Sequence, residues 1–550
     1  MPEELPEGYY LENFLFLLNF VEARYRDILS PEETGFCERF PSLSDDAQKA
    51  LVRLLGRRHN QVRQDKCHYT EIQDFTAAID ELIAADLLER NQLDDAMDWL
   101  ILATRPELLQ TFPEVALPKP KSAIKKHELC CVIAEVVDVE MIKTMLPFDV
   151  LAPTCREMLE TFRLLFFGNL HQDFTDFVLH ELGVMPFEQY PLDVEGRYFD
   201  QRSVLDATLA MYSLQAAAER VMESAELSLK EFAQDHLHSI DVSEPLLQRR
   251  YSKVLNRVAR QLERESEPEL AIQLYSQSTL TPARERRARL LVGLEQVEAA
   301  LDLCSEILQS PKTEAEYEFS VSFSARTVKK FRYDEPTWLP KKRADDFFIE
   351  HLTLEQSEIG VEESVVEHYL QEGAWAQHVE NGLLPGLFGL LFWEVIFTPV
   401  PGAFFHPFQR GPSDLYSERF GTARQTLIEE CFQMMQQPSV FEAKLIDTFH
   451  AKNGLVNPFV MWRHLSDELL SLAVKRIPIA HLETVFRRIL RDTKGHRSGF
   501  PDLVVFPESG GYELVEVKGP GDTLQGNQKR WLRVFSDFDI PAKVVHVSWQ

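Results

Sequence analysis

Two short runs near the C-terminus restrict the fold more than any other feature of the chain. Leu503-Val-Val-Phe506 is a four-residue apolar strand signal, and Tyr512-Glu-Leu-Val-Glu-Val-Lys518 alternates with period two. Between them stands Pro507-Glu-Ser-Gly-Gly511, which is turn chemistry. The pair reads as a β-hairpin set among helical patterns, so the C-terminal part is expected to be α/β. Alternation places Tyr512, Leu514, Glu516 and Lys518 on one face of the second strand, and Glu513, Val515 and Val517 on the other. The hairpin then brings Asp502, at the start of its first strand, beside Glu516 and Lys518 at the end of its second.

That juxtaposition has a chemical logic. Two carboxylates from neighbouring strands suit a hard cation such as Mg2+ or Mn2+, which takes oxygen ligands. A cation held there acidifies a water and offsets charge on a phosphodiester under attack. Lys518 lies on the same face as Glu516 and is placed to orient the nucleophile or steady the developing negative charge. The carbonyl of Val517 is an additional candidate ligand. As a bare spacing, an acidic-apolar-lysine triplet is common on solvated strands. Here it is preceded by Pro501-Asp502 and followed by Gly519-Pro-Gly-Asp522 and a helical segment carrying Gln525, Gln528, Lys529 and Trp531.

Upstream, the first ninety-odd residues (1–94) carry helical stripes such as LENFLFLLNFVEARYRDIL. Residues 95–140 read as two short helical patterns joined by a Pro/Lys-rich linker, with Lys119, Lys121, Lys125 and Lys126 clustered before the second helix. A basic loop entering a helix N-terminus is suited to DNA phosphates. Residues 141–240 form a helical linker region. Within 241–315, Glu269–Tyr275 matches Glu298–Cys304 at an offset of 29, with Ala259 paired to Ala288 and Leu262 to Leu291. Small against large residues at such a period suggest stacked helical hairpins. Residues 316–373 are mixed. SVSFSARTVKKFRY alternates like strands, and Lys341, Lys342 and Arg343 follow it. From 374 a nearly continuous apolar run, LLPGLFGLLFWEVIF, predicts a buried helix, with Glu394 as a lone carboxylate expected to be paired or functional.

Net charge bears on partners. The formal value of -29 opposes a nucleic-acid ligand, yet residues 475–550 hold twelve basic against nine acidic side chains. That local excess leaves the C-terminal segment able to approach phosphates, with Lys494 and Arg497 as further candidates for DNA contact. No apolar stretch is long enough for a membrane span, and the acidic N-terminus is no secretory signal. Seven scattered cysteines without a CxxC pair suggest a reducing cytoplasm, without disulfides or structural zinc. His378, His406, His496 and His546 read as structural histidines, because a hard cation prefers oxygen.

GxPDLVV with ELVEVKGPxDxLxxxQxxWL resembles the VRR-NUC branch of the PD-(D/E)xK nucleases. The upstream stretch VEESVVEHYLQEGAWAQHVENGLLPGLFGLLFWEVIF resembles the Fanconi-associated nuclease family. Residues 95–140 resemble a SAP module, and 241–315 are similar to a tetratricopeptide repeat. The resemblance implies a multidomain chain: a mostly α-helical N-terminal part, with SAP-like and tetratricopeptide-like helices, followed by a C-terminal α/β PD-(D/E)xK nuclease domain over 374–550. It implies Asp502, Glu516, Lys518 and Gln528 as catalytic residues, and Glu380, Asp502, Glu516 and Val517 as metal ligands. It further implies cleavage of 5' flap, branched or cross-linked DNA, 5'-to-3' trimming, and a role in interstrand cross-link repair. No Cys/His set of metal spacing stands at the N-terminus, so the family's ubiquitin-binding finger is not expected. A compact bacterial member, cytoplasmic and nucleoid-associated when on DNA, fits this pattern. Two other readings stand beside it, a Holliday-junction resolvase-like enzyme and a non-enzymatic repair scaffold.

Overall fold

The computed structural model describes residues 8–57, 59–192, 196–224, 227–237, 244–341, 343–356 and 358–550; Lys342 lies outside the described residues. The chain forms two compact units, Met1–Val184 with Tyr198–Leu205, and Met185–Arg197 with Asp206–Gln550. Among the described residues, no helix is long and apolar enough to cross a membrane.

In the first unit the helices begin on side-chain caps that sequence dictates. Ser30 accepts a hydrogen bond from Glu33 N (3.2 Å), and the Glu33 carboxylate accepts from Ser30 N (2.8 Å), with Pro31 at the first helical position of Pro31–Arg39. Phe14, Phe36, Phe40, Phe162, Phe166 and Phe167 are buried and make the core. A small antiparallel sheet has Val150–Pro153 in the middle, flanked by Val62–Arg63 and Leu88–Arg90, with Arg90 opposite Leu151. The chain therefore leaves this sheet after Arg90 and rejoins it at Val150. The excursion carries the helices Ala96–Leu102, Arg105–Thr111, Lys126–Val136 and Val139–Met145 around a core of their own, including Trp99, Leu129, Ile133 and Ile142.

In the second unit, helices Pro245–Arg264, Pro268–Gln277, Ala283–Gly293 and Val297–Gln309 follow one another. Ala259, Ala271, Ala288 and Ala300 are wholly buried, so small side chains sit where helices approach closely. The expected strands of SVSFSARTVKKFRY are instead helical, within Glu314–Phe331. Its buried residues, Ser320, Val321, Phe323, Ser324, Thr327 and Val328, fall at helical spacing, and the Thr313 hydroxyl caps its start by accepting from Glu316 N. Val321 and Phe323 alternate only because both borders of one helical stripe are apolar.

Nine of the remaining elements build or cover one mixed sheet. In chain order they are β1 (Ile349–Leu354), α1 (Val361–Gln371), β2 (Trp375–His378), α2 (Leu383–Leu391), α3 (Ile479–Arg491), β3 (Leu503–Phe506), β4 (Glu513–Lys518), α4 (Gly526–Asp537) and β5 (Ala542–Trp549). The strand order is β1-β5-β4-β3-β2, with β5 parallel to both β1 and β4 and the other pairs antiparallel. The expected start at 374 is therefore too late, because β1 and α1 already belong to this sheet and its cover. Parallel pairing joins strands remote in sequence, so the edge strand β1 carries no local sign of its destination.

Both faces are covered. Val504, Leu514 and Val544 point into a large core with α2, α3 and α4, whereas Leu503, Val505, Val515, Val517 and Val545 pack on Val365 and Tyr369 of α1. α2 is buried on every side, and a Cβ at Gly389 would meet Val460 Cγ2 at 2.6 Å, so glycine there lets the chain approach. The apolar run breaks after Leu391 into a second short helix, Trp393–Phe397. Glu394 is not buried in it; it is exposed and pairs with Lys444 at 2.8 Å.

Candidate active site and metal centre

Register alone assembles the centre. Leu503 lies opposite Val515 and His378 opposite Leu503, so the next row of the sheet sets Val379, Asp502 and Glu516 side by side. Val379 N donates to the Asp502 carbonyl at 2.8 Å, and Val517 N donates to Asp502 Oδ2 at 2.8 Å. The Asp502 carboxylate is thus held by backbone across the strand gap. Glu516 is wholly buried; its Oε1 accepts from Lys518 Nζ at 2.7 Å and from Gln528 Nε2, at the start of α4, at 2.6 Å. Gln528 is itself fixed, its Oε1 accepting from Gln525 N at 2.9 Å. The other oxygen, Glu516 Oε2, is buried with no hydrogen-bond partner. An orphaned carboxylate oxygen beside a second carboxylate is what a hard cation satisfies.

Glu380 enters from the turn between β2 and α2. One ligand atom from each of His378, Glu380 and Asp502 lies within 4.8 Å of the others. Asn381 organises that turn. It adopts a left-handed backbone (φ 51°), donates to Glu380 Oε1 at 3.1 Å, and accepts from Gly499 N at 2.8 Å and Phe500 N at 3.2 Å. One amide therefore ties Glu380 to the loop that delivers Asp502. Gly499 must be glycine, since its φ is 91° and a Cβ would strike Asn527 at 2.8 Å. Trp531 packs α4 against Phe500, with ring centres 4.2 Å apart.

The electrostatics follow from crowding negative groups out of water. Burial raises the Asp502 carboxyl, aided by the charges of Glu380 and Glu362 and opposed by the Val517 N–H and Lys518. Burial, and after it the Asp502 charge, pushes Glu516 up to about 8, against the pull of Lys518. A raised carboxylate makes the folded state hold a proton that the unfolded chain releases near its ordinary value of 4.5, so cation-free stability falls as pH rises from there towards about 8. Glu516→Gln mimics the protonated acid and escapes this loss. In the presence of a chelator its melting temperature should exceed that of the wild type by more at pH ~8.5 than at pH ~6. The expected gap is a few degrees, each kcal/mol being worth about 2–4 °C. A gap that does not widen with pH would exclude a neutral Glu516.

Of the four histidines expected to be structural, three are packed or bonded in that way. His406 is buried, pushed down to about 3 by burial, and accepts from Phe408 N; His496 Nδ1 is 2.7 Å from the Arg488 carbonyl; His546 stacks on His351. His378 departs from the expectation, since it faces the acidic cluster. Asn381 and Glu363, which bonds His378, were also absent from the sequence reading. Asparagine tolerates the left-handed backbone better than most residues, and Asn381-Gly382 is a turn signal that the reading passed over.

Lys125 is exposed at the start of helix Lys126–Val136, and Lys121 is exposed in the preceding linker. Lys119 pairs with Glu128 at 2.8 Å, and Lys126 Nζ donates to the Ile101 carbonyl at 2.6 Å. Lys494 is exposed, and Arg497 donates to the Tyr416 hydroxyl at 2.8 Å. Lys253 lies near Arg249, Arg250 and Lys494, whose charges add to burial in lowering it. Much of the C-terminal positive excess is neutralised from upstream. Arg488 pairs with Glu314, Arg530 and Arg533 with Glu318, Lys529 with Asp345, and Lys543 with Glu350.

Comparison with known proteins bears directly on this geometry. The VRR-NUC domain family matches residues 436–549, and the family described as FAN1, HTH domain matches residues 8–89. A Fanconi-associated nuclease 1 homolog of Pseudomonas aeruginosa is 34% identical over 560 residues, covering 99% of this chain and 97% of its own. The chain belongs to the Fanconi-associated nuclease family. The human Fanconi-associated nuclease 1 is 26% identical over 98% of this chain, which spans 62% of that protein. A crystal structure of paFAN1 bound to 5' flap DNA with a gap, the flap being 2 nt, superposes with a TM-score of 0.91 at 32% identity and covers 100% of both chains. The bound complex with a 1-nt flap gives 0.89. The helical N-terminal part and the mixed sheet of the C-terminal nuclease domain are those of this family of structure-specific DNA nucleases. A VRR-NUC domain implies use of a divalent metal ion.

Proposed function

We propose that this Fanconi-associated nuclease cleaves DNA bearing a 5' flap or branch, trims it 5' to 3', and serves interstrand cross-link repair. The supporting observation is the row Asp502–Glu516–Lys518, closed by Glu380 and braced by Gln528. The similar structure of paFAN1 bound to 5' flap DNA supports this class of substrate. Asp502, Glu516, Glu380 and the Val517 carbonyl would hold Mg2+ or Mn2+, since oxygens predominate and Glu516 Oε2 lacks any other partner. When bound, such an ion supplies Lewis acidity and a water of lowered pKa.

The chain's own groups do the rest. Lys518, held at 2.7 Å from Glu516 and almost fully buried, keeps a positive charge fixed next to the carboxylates, where it orients a water or meets charge building on the phosphate. Gln528 fixes the Glu516 rotamer, and the Val517 N–H fixes Asp502, so neither must reorganise when a phosphate arrives. Cleavage assays on 5' flap and four-way-junction DNA test the specificity. Faster cutting of the junction would favour the resolvase-like reading.

DNA affinity would come from exposed basic side chains, Lys119, Lys121, Lys125 and Lys126 in the first unit and Lys494 and Arg497 in the second. Charge reversal at Lys125 and Lys126 should weaken flap binding and lower its salt slope by about one per lost phosphate contact. Lys125 should account for most of this, because Lys126 is partly spent on Ile101. Fluorescence anisotropy across a salt series would show it, and an unchanged slope would make the segment a plain helical module.

A further inference from the structure

We infer that His378 is a ligand of the divalent ion through Nε2, oriented by Glu363. This rests on the metal centre proposed above and adds to it a nitrogen donor and a residue that aims it.

The first observation is the bonding of the ring. His378 Nδ1 lies 3.2 Å from Glu363 Oε1, at the third position of α1. An ionised carboxylate only accepts, so Nδ1 carries the hydrogen and Nε2 presents its lone pair. Nε2 is shielded from solvent and has no hydrogen-bond partner. At His406 the acceptor nitrogen takes a backbone N–H, that of Phe408, whereas His378 Nε2 has nothing to accept from. The second observation is where the ring points. It shares a ligand-atom cluster, within 4.8 Å, with Glu380 and Asp502. Asp502 in turn adjoins Glu516, which is wholly buried and has its own orphaned oxygen, Oε2. Two unsatisfied electron-pair donors thus lie at either end of one carboxylate row.

Sheet geometry explains how they meet. Cross-strand partners share a face, so His378, opposite Leu503, belongs to the face covered by α1. Asp502 and Glu516, one residue out of phase, belong to the other. At the end of β2 the two faces come together, and α1 supplies the carboxylate that its own N-terminal dipole favours. The arrangement Glu363–His378–ion is a carboxylate–imidazole–metal relay in which the outer carboxylate fixes the tautomer and raises the basicity of the ligand. Exchanging an oxygen for an imidazole nitrogen lowers the preference for Mg2+ relative to first-row transition ions.

The test uses full-length protein loaded with Mn2+ alone. Pulsed electron paramagnetic resonance on the wild type should show hyperfine coupling to an imidazole nitrogen. His378→Gln should abolish that coupling. Glu363→Gln should keep it while weakening Mn2+ binding in calorimetry by about 10–100-fold, the usual cost of losing such an outer partner. Circular dichroism checks that each variant is folded, and the wild-type spectrum needs no variant at all. Asp502→Asn separates the two levels of the argument. If it abolishes Mn2+ binding but the wild-type ion shows no nitrogen coupling, His378 is not a ligand although the centre stands. A coupling that survives in folded His378→Gln also overturns the assignment. If Mn2+ binding is indifferent to Asp502→Asn, the centre itself is wrong and this inference falls with it.

Discussion

Glu516→Ala, Asp502→Ala and Lys518→Ala should each reduce cleavage of a 5' flap by about 10³-fold or more, with DNA affinity within about threefold of wild type. The size of the effect follows from the geometry. Glu516 is the hub of the centre, with one oxygen shared by Lys518 and Gln528 and the other unspent. Its loss removes the carboxylate with the unspent oxygen and leaves the Lys518 ammonium buried without its partner. Asp502 loses its place as the carboxylate shared between the strand row and the Glu380 turn. Lys518→Ala keeps both carboxylates but deletes the fixed positive charge. Groups that act as one unit are non-additive, so the double variant Glu516→Ala/Lys518→Ala should be scarcely worse than either single one. Single-turnover cleavage with saturating enzyme, alongside anisotropy on the same DNA, measures both quantities. Near-normal turnover in folded Glu516→Ala would move the active site elsewhere.

Glu380→Gln should lower the Mg2+-supported rate by about 10²-fold, with partial recovery in Mn2+. Glutamine keeps the size of the side chain and the bond from Asn381 Nδ2 to Oε1, so the turn before α2 should survive. What disappears is one negative oxygen beside Asp502 and His378. Mn2+ tolerates an imperfect oxygen shell better than Mg2+, hence the expected rescue. The competing possibility is that Glu380 only supports the start of α2, where negative charge is favourable anyway. In that case the variant would cut normally in Mg2+. Rates measured in each ion, with melting curves to show that the fold is intact, decide between the two.

The hairpin at the centre of these predictions could be read from sequence because its signals are local. A period of two, a Gly-Gly turn and a short loop set the register, and the register alone puts Asp502 opposite Glu516. Gln528 came only from the family resemblance; its bond to Glu516 joins a helix start to the strand. His378 was not legible. Its chemistry was discounted on the hardness of Mg2+, and its position depends on β2 pairing with a strand more than a hundred residues later, a contact to which spacing is blind. The edge strand β1 eluded the reading in the same way. The helix Glu314–Phe331 was mistaken for strands because two apolar residues on adjoining rows mimic alternation. The positive charge of the C-terminal segment was counted correctly but read as free, whereas Glu314, Glu318, Asp345 and Glu350 lie folded against it. Net charge along a sequence says little when its neutralising partners come from another element.

The excursion out of the small N-terminal sheet has a consequence for how this architecture can change. The chain departs after Arg90 and returns at Val150, and Arg90 lies directly across from Leu151, so the two ends are about one strand spacing, ~4.8 Å, apart. A segment whose ends meet like this is a plug-in cartridge: it can be lengthened, exchanged or cut down to a tight loop without rethreading its host. Because closure entropy grows only logarithmically with loop length, the host sheet scarcely registers the size of what it carries. The four small helices can therefore be exchanged as a block while the strands that hold them keep their register.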